Sequence, residues 1–194
     1  DAEELATFRL ITEPLGAYFQ NQLLLRQLEE KANKDALTGL FNRGYLSQAI
    51  EEEQEKFHGY GIHHALVLGD INQLKKLNDQ YGHEVGDQLI VAVAEALRNT
   101  LRSTDIAART GGDEFVVLLT NSTDDDAGHF IERLQTHIFS GLSISLPDGT
   151  EFPVTVSLGK AGTDMHPLEA LAKEADRQMY AAKEQFYATV QRYR

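Results

Sequence analysis

Ile106-Ala107-Ala108-Arg109-Thr110-Gly111-Gly112-Asp113-Glu114-Phe115-Val116-Val117-Leu118-Leu119 is the stretch that decides the fold class. Two short apolar runs, 106–109 and 115–119, flank a glycine-rich tip, the signature of a β-hairpin. Asp113 and Glu114 follow the glycines at that tip. Upstream, His64 to Gly69 is a mostly apolar run that ends in Asp70 and reads as a buried strand. If these strands are neighbours, Asp70, Asp113 and Glu114 converge at one edge of a sheet. Hard divalent cations take oxygen ligands, and Mg²⁺ is commonly held by one or two carboxylates plus substrate phosphates. Two such ions about 4 Å apart can activate a hydroxyl and steady a phosphoryl transfer. Gly111 and Gly112 lack a Cβ, so they permit a tight turn and let a ligand lie against the backbone. Taken alone, the tip also suits a plain hairpin turn with solvated acids.

The rest of the chain supplies helices around these strands. Helices are expected from about Gly44 to Phe57, Gln73 to Gln80 and Glu84 to Leu101. Thr38 to Arg43 is turn-like, and His58-Gly59-Tyr60-Gly61 is a loop. Asp124-Asp125-Asp126 opens a helix to about Phe139, where acids favour the dipole, and reads as a helix start rather than a metal site. Ser143 to Leu146 and Phe152 to Ala161 are expected strands, with Pro147-Asp148-Gly149 turning between them. Pro167 opens a last helix to about Tyr187. Hairpins joining neighbouring strands, mixed with helices, favour an α+β fold with a largely antiparallel sheet.

The first stretch, to about Asn33, reads as a helix, with Thr12 as N-cap and Pro14 in the first turn. Phe8, Ile11, Leu15, Tyr18, Gln22 and Leu25 form a short heptad-like seam. It either packs on its own domain or pairs with a second copy as a connector that carries a signal. The expected division is a connector at 1–33 and a main domain at 34–194. The chain begins at Asp1, which reads as part of something longer.

Composition limits the partners. A net charge of −12 argues against non-specific binding to nucleic acid or to an anionic membrane surface. It leaves room for an anionic nucleotide, because a metal and a few local cations can dominate a small site. The chain has no cysteine, which excludes disulfides and thiolate metal sites and fits the cytoplasm. No apolar run approaches the roughly 18 residues of a membrane span.

Gly111-Gly112-Asp113-Glu114-Phe115 spells the name motif of the GGDEF diguanylate cyclases. Asp35-Ala36-Leu37-Thr38-Gly39-Leu40-Phe41-Asn42-Arg43 resembles that family's opening signature. The segment from Asp70 through Asn78 and Tyr81-Gly82-His83 to Asp87 resembles its nucleotide-binding stretch. Val154-Thr155-Val156-Ser157-Leu158-Gly159 and Ala175 to Lys183 resemble its closing strand and helix. The likeness runs in order over roughly residues 33 to 187.

The resemblance implies a palm-like, ferredoxin-like core shared with nucleotidyl cyclases and polymerases. It implies an enzyme that condenses two GTP into cyclic di-GMP with Mg²⁺ or Mn²⁺, across a homodimer formed at least transiently. The alternative is a module that senses GTP or cyclic di-GMP without turnover. By this likeness Asp70, Asp113 and the Ile71 carbonyl hold metal, and Glu114 is a second required acid. Asn78 and Asp87 match the guanine contacts. A carboxylate that accepts from guanine N1–H and its 2-amino group would be left unpaired by adenine. Lys75 and Lys183 match phosphate-contacting lysines, and the amides around Gln73 and Leu74 form a phosphate cradle. Arg102 and Asp105 match an inhibitory product site, with Arg133 as a further arginine supplied from a neighbouring subunit. An upstream sensory domain is expected. Three departures stand out. Asn72 replaces a usual Asp, Leu74 a usual Phe, and Tyr187 falls where an Arg often supports the triphosphate, so the expectation is a lower phosphate affinity or support supplied by other residues. His63 and His64 read as strand-edge residues and His83 as part of the motif.

Overall fold

The computed structural model describes residues 15, 18–24, 31–136 and 140–192. The chain divides into two compact units, 1–34 and 35–194. In the first, residues 18–24 and 31–33 are helical. Leu15, Tyr18, Phe19, Leu23 and Leu24 are exposed there. Of the expected seam, Leu15, Tyr18 and Gln22 are described and exposed. Phe8, Ile11, Leu25 and the Thr12–Pro14 start lie outside the described residues.

The second unit runs β1 (Phe41–Asn42), α1 (Arg43–Tyr60), β2 (Ala65–Ile71), α2 (Leu74–Tyr81), α3 (His83–Thr100), β3 (Ile106–Arg109) and β4 (Glu114–Leu119). It continues with α4 (Asp124–Leu134), β5 (Ser143–Ser145), β6 (Glu151–Pro153), β7 (Val156–Gly162) and α5 (Leu171–Arg192). Five strands form a sheet in the order β1-β3-β4-β2-β7, and β5 pairs with β6 apart from it. β1 lies parallel to β3, and the other neighbours are antiparallel.

Side-chain alternation explains the three layers. Ala65, Val67 and Ile71 of β2, with Phe115 and Val117 of β4, pack on Leu89, Val93 and Leu97 of α3. Leu66 and Leu118 turn the other way, onto Leu46 of α1 and Leu171 of α5. β2 is therefore buried on both faces, and its residues are apolar almost throughout. α5 sits directly on β7 at Gly159, where an added Cβ would lie 2.1 Å from the Ala175 carbonyl oxygen. Among the described residues, no helix is long and apolar enough to cross a membrane.

Several expectations are corrected by pairing and capping. The 152–161 run is two strands, not one: β6 pairs with β5, while β7 pairs with β2. The turn-like Thr38–Arg43 stretch ends in β1, which finds its partner about 67 residues away on β3. The loop expected at His58 is still helix, because the left-handed residue that closes α1 is Gly61, at φ 68°. A 3₁₀ turn, Leu168–Ala170, stands between Pro167 and α5. α4 ends at Leu134, and residues 137–139 lie outside the described ones. Its start is as expected: Thr123 and Asp126 form a reciprocal capping box, and Asp124 pairs with Lys160. His64 stands directly before β2, at the strand's edge as expected, and it is 0% exposed there: the Phe57 ring of α1 lies edge-on to it, and its N–H donates to Thr163 Oγ1 at 3.0 Å.

Candidate active site

The antiparallel register of β2 and β4 sets Asp70 opposite Glu114. The next step of the ladder continues past the end of β4, where Ile71 N–H donates to the Asp113 carbonyl at 3.0 Å. The end of the strand that carries Asp70 and the hairpin tip that carries Asp113 and Glu114 thus lie at one sheet edge. Thr110 N–H donates to the Glu114 carbonyl at 3.0 Å and closes the tip. Neither glycine of the tip takes a left-handed φ. Gly111 serves by close approach, since an added Cβ would lie 2.7 Å from Glu114 Oε2, while Gly112 faces open space.

Arg109 braces the tip. Its Nη2 donates to the Gly112 carbonyl at 2.9 Å, and its Nη1 reaches Asp35 Oδ1 at 3.3 Å. Asp35 also accepts from Thr38 N–H at 2.9 Å and Thr38 Oγ1–H at 2.6 Å. Burial pushes the Asp35 carboxyl up, but these donors more than offset it and hold it below the usual value. Sequence reading missed this brace. Its only local signal was an arginine directly before the Thr-Gly-Gly turn.

Asp70 is 6% exposed. Lys183 of α5 brings Nζ to 2.7 Å of both carboxylate oxygens and donates to Oδ2. Oδ1 is buried and accepts no hydrogen bond. Burial pushes the Asp70 carboxyl up and nearby Asp113 adds to this, together outweighing Lys183. Burial alone would lower Lys183, but Asp70, helped by Asp113, holds it above its ordinary value. Two acids share the one ammonium of Lys183, and the raised Asp70 carboxyl marks a place where further positive charge would be welcome. Among the described residues no three His, Cys, Asp or Glu side chains gather as a metal site. Two carboxylates without a third side chain suit an ion such as Mg²⁺, which keeps waters and substrate phosphates in its shell. The residues present fit such an ion.

On α2, Asn78 is half-buried, and its Oδ1 is buried without a partner. The side chain lies against Gly86 of α3, where a Cβ would fall 1.8 Å from that oxygen. Asp87, the next residue, is exposed. Asn78 and Asp87 thus come together at the α2–α3 junction, and among the described residues no side-chain hydrogen bond or ion pair ties them to the acids. Before α2, Gln73 holds a left-handed φ of 64° and donates its N–H to Tyr187 Oη at 3.3 Å. Lys75 is exposed beside it, in a cleft of about 410 Å³ that Lys76 and Tyr187 also line. The Leu74 side chain is buried in the core, so it can offer a ligand only its backbone. Asn72 is buried too, and accepts from Ser157 Oγ–H at 2.8 Å. A neutral amide fits this internal position without a counter-charge.

Away from this edge, Arg102 N–H donates to Asp105 Oδ2 at 3.0 Å, which closes the turn after α3. The other Asp105 oxygen is buried and unbonded. Arg133 of α4 donates to the Thr100 carbonyl at 3.4 Å, which brings it near this turn within the same chain.

A family model described as "Diguanylate cyclase, GGDEF domain" matches residues 32–187, most of the chain. The chain belongs to the GGDEF-domain diguanylate cyclase family. It is 34% identical over 175 residues to the diguanylate cyclase DgcS of Shewanella oneidensis, covering 90% of this chain and 56% of DgcS. It is 36% identical over 157 residues to the response regulator PleD of Caulobacter vibrioides, covering 79% of this chain and 34% of PleD. The chain therefore spans about half or less of these curated relatives. In fold it is similar to the coiled coil and GGDEF domain of DgcB from Caulobacter crescentus, solved in complex with c-di-GMP. That likeness has a TM-score of 0.81 at 24% identity and covers 93% of this chain and 95% of that one. A five-stranded mixed sheet flanked by helices is thus the GGDEF architecture.

Proposed function

We propose that this GGDEF domain condenses two GTP molecules into cyclic di-GMP and two pyrophosphates. The observation that carries the reading is the β2–β4 register, which sets Asp70 against the hairpin acids at one sheet edge. In each of two rounds the 3′-oxygen of one GTP bonds to the α-phosphorus of the other. The bond from that phosphorus to the β-phosphate bridge breaks, pyrophosphate leaves, and the hydroxyl proton is released. The second round closes the ring.

Asp70, Asp113 and the Ile71 carbonyl would hold Mg²⁺ or Mn²⁺. Such an ion lowers the pKa of the attacking hydroxyl and neutralises charge gathering on the phosphate oxygens. Glu114, exposed opposite Asp70, is the acid left free to orient water or take the proton. Asn78 and Asp87 read guanine: the Asp87 carboxylate accepts from N1–H and the 2-amino group, and Asn78 adds an amide. Lys75, Lys183 and the backbone amides from Gln73 and Leu74 onward balance the triphosphate.

One domain holds one GTP, so two domains must face each other. The exposed Leu15, Tyr18 and Phe19 of the first unit suit pairing with a second copy, and an upstream sensory domain would set that geometry. Arg102 and Asp105, with Arg133 from a neighbouring subunit, form an inhibitory site for the product. Arg102→Ala is then expected to relieve inhibition by added cyclic di-GMP in a turnover assay.

The test of the main reading is incubation with GTP and Mg²⁺ and chromatographic detection of cyclic di-GMP, at rising protein concentration and with Asp113→Ala as control. Product from the wild type alone supports a cyclase. Binding of GTP or cyclic di-GMP without product, even in a dimer enforced by a fused coiled coil, would instead make this a sensing module.

A further inference from the structure

Two side chains one helical turn apart on α5 occupy the positions that a metal–nucleotide complex would need. Lys183 sets its ammonium against both oxygens of Asp70, at 2.7 Å, where a cation would bind. Tyr187 sets its hydroxyl oxygen 3.3 Å from the Gln73 N–H, where a phosphate oxygen would accept. Residues four apart share one face of a helix, so both contacts are made by the same side of α5. α5 itself is fixed, because its backbone rests on β7 at Gly159. The Tyr187 contact also closes over a strained point. Gln73 is a non-glycine residue in the left-handed region, a conformation that persists only where its surroundings hold it. Around it, Lys75 and Lys76 are exposed at the mouth of the 410 Å³ cleft that Tyr187 lines.

We propose that Tyr187 is a nucleotide-gating residue. Its hydroxyl is a resident substitute for a phosphate oxygen, and it must leave the Gln73 N–H before the triphosphate can seat. The inference rests on the reading of this edge as the GTP site. An arginine at 187 could only add a donor toward phosphate. A tyrosine there instead puts an acceptor on the donor that phosphate needs. Bound nucleotide therefore competes with an intramolecular contact at very high effective concentration, and affinity falls by the fraction of time that contact is made. The hydrogen bond is exposed, so the competition is modest, several-fold and not thousandfold. The contact also biases the domain toward a self-occupied state, with Lys183 seated on the end of β2 and Tyr187 on the loop that follows it.

The experiment is calorimetric titration of the chain with the α,β-methylene analogue of GTP, which cannot release pyrophosphate, in the presence of Mg²⁺. Tyr187→Phe removes only the hydroxyl. It is expected to bind the analogue about threefold to tenfold tighter than the wild type, and guanosine, which has no phosphate, with unchanged affinity. In amide NMR of the nucleotide-free protein, the Gln73 N–H should exchange with solvent faster in Tyr187→Phe. Equal or weaker binding of the analogue by Tyr187→Phe would overturn the gate while leaving the GTP site standing. An equal gain for guanosine would overturn it too, because a general loosening of the site does not discriminate by phosphate. No binding of the analogue by either protein would remove the GTP site itself, and the gate with it.

Discussion

β2 buries a titratable side chain at each end, and the two ends have opposite characters. His64, directly before the strand, is 0% exposed, and Asp70, one residue from its close, is 6% exposed. Both point to the face covered by α1 and α5, and both carry buried atoms without hydrogen bonds: the two ring nitrogens of His64 and Oδ1 of Asp70. Burial pushes each toward its neutral form, lowering the imidazole and raising the carboxyl. The difference lies in the neighbours. At His64 they are the edge-on ring of Phe57, with Glu53 already paired to Lys56 at 2.5 Å. At Asp70 they are a second acid, Asp113, and a lysine that can be displaced. An orphaned buried atom therefore does not by itself mark a functional site. It does so where like charges are gathered and an opening lets a ligand answer them.

The sharpest way to break this comparison is to neutralise the Asp70 end. Asp70→Asn should lower cyclic di-GMP formation at least about a hundredfold, as loss of a central electrostatic group does. Its melting temperature, read by circular dichroism, should stay the same or rise, because a raised carboxyl pKa means that the ionised form weighs against the fold at neutral pH. A large fall in melting temperature would make Asp70 a structural residue and would break the comparison.

At the other end, His64→Leu should leave turnover unchanged. By removing two unsatisfied nitrogens it should raise stability in urea by about 1 kcal/mol. Loss of activity would show that the two ends communicate.

The pH dependence sharpens the same contrast. The His64 imidazole is held below its ordinary 6.5 by burial, aided by His63 and opposed by Glu53. Its contribution to stability is therefore complete above pH 6.5 and is lost as pH falls from there through the depressed folded value. The slope is at most about 1.4 kcal/mol per pH unit. Urea midpoints should fall between pH 7 and pH 5.5 in the wild type and fall less in His64→Leu.

A last variant bears on the His64 end alone. Lys56→Met takes the ammonium away from Glu53, whose carboxylate is buried, so the urea midpoint should fall, without change in turnover.

How much of this was legible follows from how local each feature is. The β3–β4 hairpin, the strand ending in Asp70 and the capped start of α4 are written in contiguous residues, and the structure has them where the pattern put them. The strand break at Val154-Thr155 was not legible, because it depends on β6 joining β5 while β7 joins β2. Nor was β1, whose pairing is set by β3 and not by its own two residues. Within the candidate site, the residue types could be named from the motifs, but their contacts could not. Tyr187 meets Gln73 across 114 positions of sequence, and Lys183 meets Asp70 across 113. Such contacts are consequences of how α5 docks, and that docking turns on one missing methyl group at Gly159.

The Asp35–Arg109–Gly112 chain of hydrogen bonds has a mechanical meaning. Asp35 is the first residue of the second unit. Through one guanidinium it is tied to the carbonyl of the glycine directly before Asp113. A pull or twist applied where the chain enters this unit is therefore not absorbed by a slack linker. It arrives, two side-chain contacts later, at the turn that aims the acids. The point of entry and the hairpin tip are joined by a strut, and the strut would break at Arg109.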